Sequence, residues 1–181
     1  APTYIGNRTI GAGHIAKLPS LRSSWVGGKS SRILQAIGAG TELDLSALTS
    51  FTRPDGQFAA LTIRARDGGR VDLSNLTTFT PSALLNQSTF NLTAEDAGSV
   101  LDLSALSELD QADVTIADNG QIDLSSLTKL TDGTVTLDDS VGAADVVTAA
   151  SLQLGDDAQI DTNSGTSALI IGNVAKIGRA H

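Results

Sequence analysis

The residues of this chain with the clearest potential for chemistry are aspartates that recur at one place in a repeated phrase. Asp44, Asp72, Asp102 and Asp123 each precede Leu-Ser, and Asp161 occupies the same place in a weaker copy. If the copies stack as neighbouring strands, the carboxylates form a column with about 5 Å between neighbours. Carboxylate oxygens are ligands that Ca²⁺ prefers, so the column is a candidate calcium site.

Calcium binding by this column needs more ligands than the sequence offers. Ca²⁺ takes about six to eight oxygens in a cage. The glycine-rich nonapeptide that builds such cages is absent. The dipeptides Asp55-Gly56, Asp132-Gly133 and Asp156-Asp157 lack the remaining ligands of an EF-hand loop. We therefore interpret the column as a solvated polar ladder whose Asp and Ser side chains accept backbone hydrogen bonds at a corner. We predict no metal ligands and no cofactor.

A neighbouring column of hydroxyls could order water. Thr49, Thr77, Ser107 and Thr128 follow the aspartates at a constant spacing. Rows of Thr on a flat β-face occur in ice-binding solenoids. This row is single and interrupted by Ser, so the ordinary use of Thr in strands and turns explains it better.

Catalytic constellations have little support in the sequence. A Ser-His-Asp arrangement is hard to assemble because His14 lies in the first and most variable copy. Polysaccharide lyases and hydrolases need acids clustered with cations. Arg64 and Arg66 alternate on one strand face near Asp67 and Asp72, which predicts an outer ion-pair patch and a candidate sugar-binding surface. We predict no catalytic or cofactor-binding residue, and a chain that is not an enzyme.

The aspartates belong to a repeated phrase that determines the architecture. The copies are LDLSALTSF at 43–51, VDLSNLTTF at 71–79, LDLSALSEL at 101–109 and IDLSSLTKL at 122–130. GAGHIAKLPSL at 11–21 aligns without a gap on GAGTELDLSAL at 38–48, which adds a fifth copy, and AQIDTNS at 158–164 is a decayed one. Successive spacings of 27, 28, 30 and 21 residues separate Leu18, Leu45, Leu73, Leu103 and Leu124.

Each copy predicts short strands joined by a corner. Apolar and polar residues alternate through Leu43-Asp44-Leu45-Ser46, as in a half-buried strand. Later apolar positions, such as Phe51 with its equivalents Phe79, Leu109 and Leu130, predict a second inward stretch and a buried stack. Between the copies lie β-rich runs at 60–65, 88–94, 112–118 and 134–139. These patterns predict two or three strands per repeat.

These patterns favour an all-β chain folded as a parallel β-helix, a solenoid of stacked coils about 4.8 Å apart. An antiparallel β-sandwich and a leucine-rich horseshoe are the alternatives. Thr, Ser, Asp, Gly, Val and Ile are dense between residues 40 and 164, which opposes helix. We expect about six to eight coils and a rod on the order of 30–35 Å long. No Cys is present, so disulfides are excluded.

Charge and hydropathy exclude some partners. The net charge is −8, and the five cations that precede the first acid, Glu42, are too dispersed for a nucleic-acid patch. The longest apolar stretch, 167–174, is too short to cross a bilayer. We predict neither nucleic-acid binding nor membrane insertion. The five cations before Glu42 are Arg8, Lys17, Arg22, Lys29 and Arg32.

Both ends of the sequence indicate a fragment without natural caps. The chain begins without Met, and KIGRAH at 176–181 is the translation of a common sequencing adapter, so we interpret it as non-native read-through. We expect an incomplete leading coil at 1–10, the repeat solenoid at 11–175, and neighbouring coils missing at both ends.

The iterated [G/A]-G-x-[VIL]-D-L-S-x-L-T pattern, with GAGxxxxLPSL as a variant, resembles the repeat regions of very large bacterial extracellular, adhesin-like proteins. The resemblance covers about residues 11–164. It implies a right-handed parallel β-helix, an extracellular or cell-surface location, and a structural or adhesive stalk that could meet glycans or matrix. The alternative is part of a carbohydrate-active β-helix enzyme or a glycan-binding module.

Overall fold

The computed structural model describes the backbone of most of the repeat region and of shorter segments on either side. The described residues are 3–4, 8–11, 13–17, 23–25, 32–52, 60–80, 90–138, 146–149, 152–154, 159–162, 168–171 and 174–176. Side chains are described at 9–11, 13–16, 32–51, 60–79, 90–138 and 161. This part of the chain is all β, without a helix.

Most strands are only three to six residues long. In chain order they are β1 (Thr3–Tyr4), β2 (Arg8–Gly11), β3 (Ile15–Lys17), β4 (Ser23–Trp25), β5 (Arg32–Ile37), β6 (Glu42–Asp44), β7 (Ser50–Thr52), β8 (Leu61–Arg66), β9 (Arg70–Asp72), β10 (Thr78–Thr80), β11 (Phe90–Glu95), β12 (Val100–Asp102), β13 (Glu108–Asp110), β14 (Ala112–Ala117), β15 (Gln121–Asp123), β16 (Lys129–Thr131), β17 (Thr134–Asp138), β18 (Val146–Ala149), β19 (Leu152–Leu154), β20 (Gln159–Thr162), β21 (Ala168–Ile171) and β22 (Val174–Lys176).

Strands of successive repeats lie side by side, and the pairings between described strands are parallel. β5, β6 and β7 follow one another in the chain but belong to three different sheets, and β8, β9 and β10 pair beside them. The prediction of two or three strands per repeat is confirmed, with three. Parallel pairing excludes the antiparallel sandwich. The sheet orders are β2-β5-β8-β11-β14-β17-β20, β3-β6-β9-β12-β15, β1-β4-β7-β10, β13-β16-β19-β22 and β18-β21.

The register between repeats is the one that the repeated phrase predicts. Leu43 pairs with Val71, and Leu101 pairs with both Val71 and Ile122. In the first copy Ala16 pairs with Leu43, which confirms the gapless alignment of 11–21 on 38–48. Leu18 and Leu21, which also belong to that alignment, lie outside the described residues.

Inward side chains form apolar ladders that run from repeat to repeat. Phe51 and Phe79 stack with ring centroids 5.4 Å apart and planes 12° apart, and Phe90 packs against Phe79 at 4.8 Å. The predicted internal stack is therefore confirmed. The leucine positions of the phrase are also buried, which is where repeat proteins gain most of their stability. They are Leu45, Leu73, Leu103, Leu124, Leu48, Leu76, Leu106 and Leu127.

The variable connector lies between the third strand of one repeat and the first strand of the next. Residues 53–60 separate β7 from β8, and 81–89 separate β10 from β11. Gln111 alone separates β13 from β14, and residues 132–133 separate β16 from β17. The strands keep nearly the same lengths while the connector shortens, which accounts for the short spacing of 21 residues between Leu103 and Leu124.

Glycines permit close approach between repeats at the corner before two copies of the repeated phrase. A Cβ on Gly69 would overlap the carbonyl of Ala36, and one on Gly120 would overlap the carbonyl of Ala94. At a different corner, a Cβ on Gly133 would overlap the carbonyl of Ala112. At these positions the backbone of the preceding repeat occupies the space of a side chain.

The predicted division into 1–10, 11–175 and 176–181 stays a prediction. β2 spans the first boundary and pairs with β5, while β22 ends at Lys176 and pairs with β19. Residues 177–181 lie outside the described part of the chain.

Gly120→Ala should destabilise the protein by about 1–3 kcal/mol, because its methyl group must displace backbone of the adjacent strand. The matched control is Gly11→Ala, whose Cβ would lie 3.7 Å from the carbonyl oxygen of Ile37, an ordinary contact. Urea unfolding of both variants measures the difference. Equal midpoints would contradict the close approach that the stacked repeats require.

Candidate functional site

The aspartates of the repeated phrase form a column at the ends of the five-stranded sheet. Asp44 pairs with Asp72, Asp72 with Asp102, and Asp102 with Asp123. Lys17 continues the same register beyond Asp44. The predicted column therefore exists with four carboxylates, which we call the Asp column (Asp44, Asp72, Asp102 and Asp123).

Asp161 does not belong to the Asp column, so its inclusion was wrong. β20 joins the seven-stranded sheet, where Asp161 pairs with Thr136. The sequence AQIDTNS resembles GQIDLSS. Its strand nevertheless joins the seven-stranded sheet, whereas the strand of GQIDLSS belongs to the five-stranded sheet. Local similarity over a few residues does not determine which sheet a strand joins.

Each aspartate of the column stabilises the turn that follows it. Its Oδ1 atom accepts a hydrogen bond from the backbone N–H of the serine two residues later, at distances of 2.9–3.2 Å in the four copies. In the first copy the Ser46 hydroxyl also donates to Asp44 Oδ1 at 2.6 Å. The predicted backbone hydrogen bonds are confirmed for the aspartates, whereas the serines supply donors. Such Asx turns hold the chain in a corner.

Arg70 partly neutralises the middle of the Asp column. Its Nη2 donates to Asp102 Oδ2 at 2.7 Å and lies 3.6 Å from Asp72 Oδ2. Its Nε lies 3.6 Å from Glu42 Oε1. Partial burial raises the pKa of Asp102, but hydrogen bonds from Ser104 and Arg70 outweigh it, so the pKa lies below its usual value. The Arg70 side chain is 38% exposed, so solvent screens these attractions.

The two arginines that sequence reasoning grouped have different partners. Arg66 Nε lies 3.5 Å from Asp67 Oδ2 and 3.7 Å from Glu95 Oε2, which confirms an outer ion-pair patch at Arg66. Arg64 instead donates from Nη2 and Nε to Gln35 Oε1, at 2.6 and 3.2 Å. Asp72, expected near this patch, pairs with Arg70 on another sheet.

The hydroxyl column also bonds to the backbone. Thr77 donates its Oγ1 hydrogen to the carbonyl of Thr49 at 3.1 Å, and Thr128 donates to that of Ser107 at 3.0 Å. Their backbone N–H groups donate to the same carbonyls, at 3.0 and 2.8 Å. These threonines therefore connect one repeat to the next, as their ordinary use in strands and turns implies.

Sequence reasoning missed two buried hydroxyls at the corner before the phrase. Thr41 Oγ1 donates to the carbonyl of Ile37 at 3.0 Å and accepts from the N–H of Gly13 at 2.9 Å. Ser99 Oγ accepts from the N–H of Gly68 at 3.0 Å. Both are almost fully buried. The available signal was a small residue three places before each aspartate of the column.

Comparison with known proteins gives no relative, because no family model, curated protein or solved structure matches this chain. Within the described residues, no three His, Asp or Glu side chains are grouped to hold a metal ion. The described segments contain no helix with the length and hydropathy that a membrane crossing needs. His14 is exposed, and its carbonyl accepts a hydrogen bond from the N–H of Glu42 at 3.0 Å.

Asp123→Ala should cost about 0.5–1.5 kcal/mol of unfolding free energy, because the Ser125 N–H loses its acceptor. Asp123→Asn should be nearly neutral, since its amide oxygen can accept the same bond without the charge. Urea unfolding of the two variants shows whether Asp123 stabilises the protein through its hydrogen bond to the Ser125 N–H or through its negative charge. An equal loss in both would show that the negative charge, rather than the Oδ1 acceptor, is what matters.

Arg70→Gln should raise the pKa of Asp102 toward its usual value, because one donor and one positive charge are removed. The folded-state pKa is below the unfolded one, so the stabilisation is present above the unfolded pKa and disappears as pH falls through the folded pKa. The stability difference between wild type and variant should therefore shrink in acid.

Carboxyl NMR titration and urea unfolding at several pH values measure both effects. Arg64→Gln, on a different sheet, is the control and should leave the Asp102 titration unchanged. An unshifted Asp102 pKa in Arg70→Gln would contradict the assigned ion pair.

Proposed function

We propose that this chain is a segment of a right-handed parallel β-helix of about six to eight coils, within a large secreted or cell-surface repeat protein. Its role is that of a non-catalytic structural or adhesive stalk. The parallel sheets and the in-register repeats support the coil architecture. The similarity of the DLSxLT phrase to bacterial adhesin-like repeats supports the handedness, the location and the stalk role.

The observation that carries this proposal is the use of the repeated polar side chains. The aspartates of the Asp column accept bonds from the backbone of their own turns, and Thr77 and Thr128 donate to the backbone of the preceding repeat. Repetition of these residues therefore serves the coil itself. A catalytic centre would instead need acids that are free to reach a substrate.

The connectors also suit a stalk. Their length changes from eight or nine residues to one or two while the strands before and after them stay in register. In a repeat protein each unit contacts only its neighbours, so further units can be added without changing the existing ones. A chain built in this way can extend to project another domain from a surface.

A glycan-binding surface is the second candidate, favoured by the outer face of the seven-stranded sheet. Arg64 is held there by Gln35 and forms no ion pair with another described residue. Thr93, Thr115 and Thr136 continue the same row on the next three strands. A cation followed by hydroxyls about 4.8 Å apart is suited to an acidic polysaccharide lying across the strands.

A binding screen against neutral and acidic polysaccharides, with and without Ca²⁺, tests the two candidates. A purely structural stalk expects no retention by any polymer. Retention of an acidic polysaccharide that is lost in Arg64→Gln but kept in Arg70→Gln would favour the glycan-binding surface.

The full-length gene provides an independent test of the stalk. Many further copies together with an export signal and a surface anchor would support it, and electron microscopy of that longer protein should show a rod that lengthens by about 4.8 Å per copy. A compact particle, or acids and cations clustered on one strand face of other coils, would instead support the enzyme alternative.

A further inference from the structure

Three buried oxygens without hydrogen-bond partners lie near the shortest connectors. They are Asp110 Oδ1, Gln111 Oε1 and Thr131 Oγ1, and none has a partner in the described part of the chain. A buried polar atom without a partner costs about 1–3 kcal/mol, so native proteins rarely leave one unsatisfied. Three such atoms at neighbouring positions make this corner a candidate binding site.

Two stacked corners place these residues at neighbouring positions. Asp110 pairs with Thr131 on the adjacent strand. Gln111 and Asp132 occupy the next position in each corner, and both have left-handed backbones, with φ of 53° and 47°. The Gln111 N–H donates to the Thr131 carbonyl at 3.0 Å, which fixes one corner on the other. Asp132 adds a second carboxylate beside Asp110.

Electrostatics at this corner favour a positive charge. The negative charges of Asp132 and Glu108 lie close to the Asp110 carboxylate, and the positive charge of Lys129 lies near it too. The amino group of Lys129 is 3.8 Å from the carboxylate of Glu108, so part of its charge is already compensated. A cation between Asp110 and Asp132 would relieve their repulsion.

We propose that the corner formed by Asp110, Gln111, Thr131 and Asp132 binds one Ca²⁺ ion. The two carboxylates, the amide oxygen and the hydroxyl are the hard oxygen ligands that Ca²⁺ takes, and water completes the coordination of about six to eight oxygens. The site differs from the Asp column, whose Oδ1 atoms already accept bonds from serine N–H groups. The proposal does not depend on the stalk function.

The two other ways to satisfy these oxygens make different predictions. One water molecule could donate to Asp110 and Gln111 and accept from Thr131. Alternatively, the Gln111 amide could be turned so that its NH₂ group faces the corner, because the two ends of an amide are assigned from their hydrogen bonds. Neither arrangement responds to Ca²⁺, whereas the proposed site does.

Titration calorimetry with CaCl₂ and thermal unfolding in CaCl₂ or EDTA test the proposal on the full 181-residue chain. We expect saturable binding of one ion and a higher unfolding temperature with Ca²⁺. Asp110→Asn should weaken binding by at least about tenfold, because affinity depends on the charge of the ligands. The control Asp123→Asn, which changes an acid of the Asp column, should bind as the wild type does.

Gln111→Glu distinguishes bound Ca²⁺ from a turned Gln111 amide. An added carboxylate should tighten Ca²⁺ binding and increase the Ca²⁺-dependent stabilisation. If the Gln111 amide donates to Asp110, the same change removes the donor, adds repulsion and destabilises the protein equally with Ca²⁺ or EDTA. Absence of calcium binding in the wild type, or binding that is unchanged in Asp110→Asn, overturns the proposal.

Discussion

The structure depends on parallel stacking of similar segments with their apolar side chains aligned. Side chains alternate between the two faces of a strand, so a shift of one residue would turn every inward leucine outward. The register from Leu43 to Val71 to Leu101 to Ile122 is therefore fixed by burial of these side chains. Backbone bonds between repeats, such as Leu73 N–H to the Asp102 carbonyl at 3.0 Å, follow from that register.

Stacking also imposes polar requirements at the corners. Identical residues lie above one another, so like charges of the Asp column are neighbours about 5 Å apart, a repulsion of under about 1 kcal/mol per pair in water. Arg70 and the serine N–H groups offset this repulsion. At the preceding corner, Thr41 and Ser99 alternate with Gly69 and Gly120, so a buried hydroxyl in one repeat is followed by a residue without a side chain in the next.

Sequence patterns predicted those features that every repeat shares. The alternation in Leu43-Asp44-Leu45 gave the strand and its faces, and the constant spacing to Phe51 and Phe79 gave the aromatic stack. Features that depend on which strand lies alongside were harder to predict. Asp161 was misplaced because only the sheet order shows that β20 pairs with β17. Arg64 and Arg66 look equivalent in sequence, yet Gln35 and Glu95 on different neighbouring strands give them different partners.

The shortest connectors hold polar groups close together, because a connector of one or two residues is too short to place its side chains in solvent away from the neighbouring strands. A long connector can leave the stacked strands and expose its backbone and side chains to water, as surface loops do. Where Gln111 alone joins β13 to β14, the chain must turn within one residue. That residue is left-handed, and Asp110 pairs with Thr131 of the next repeat. Buried oxygens without partners are a consequence of that geometry. The proposed Ca²⁺ site therefore lies at an irregular short corner, whereas the repeated aspartates already accept hydrogen bonds from the backbone.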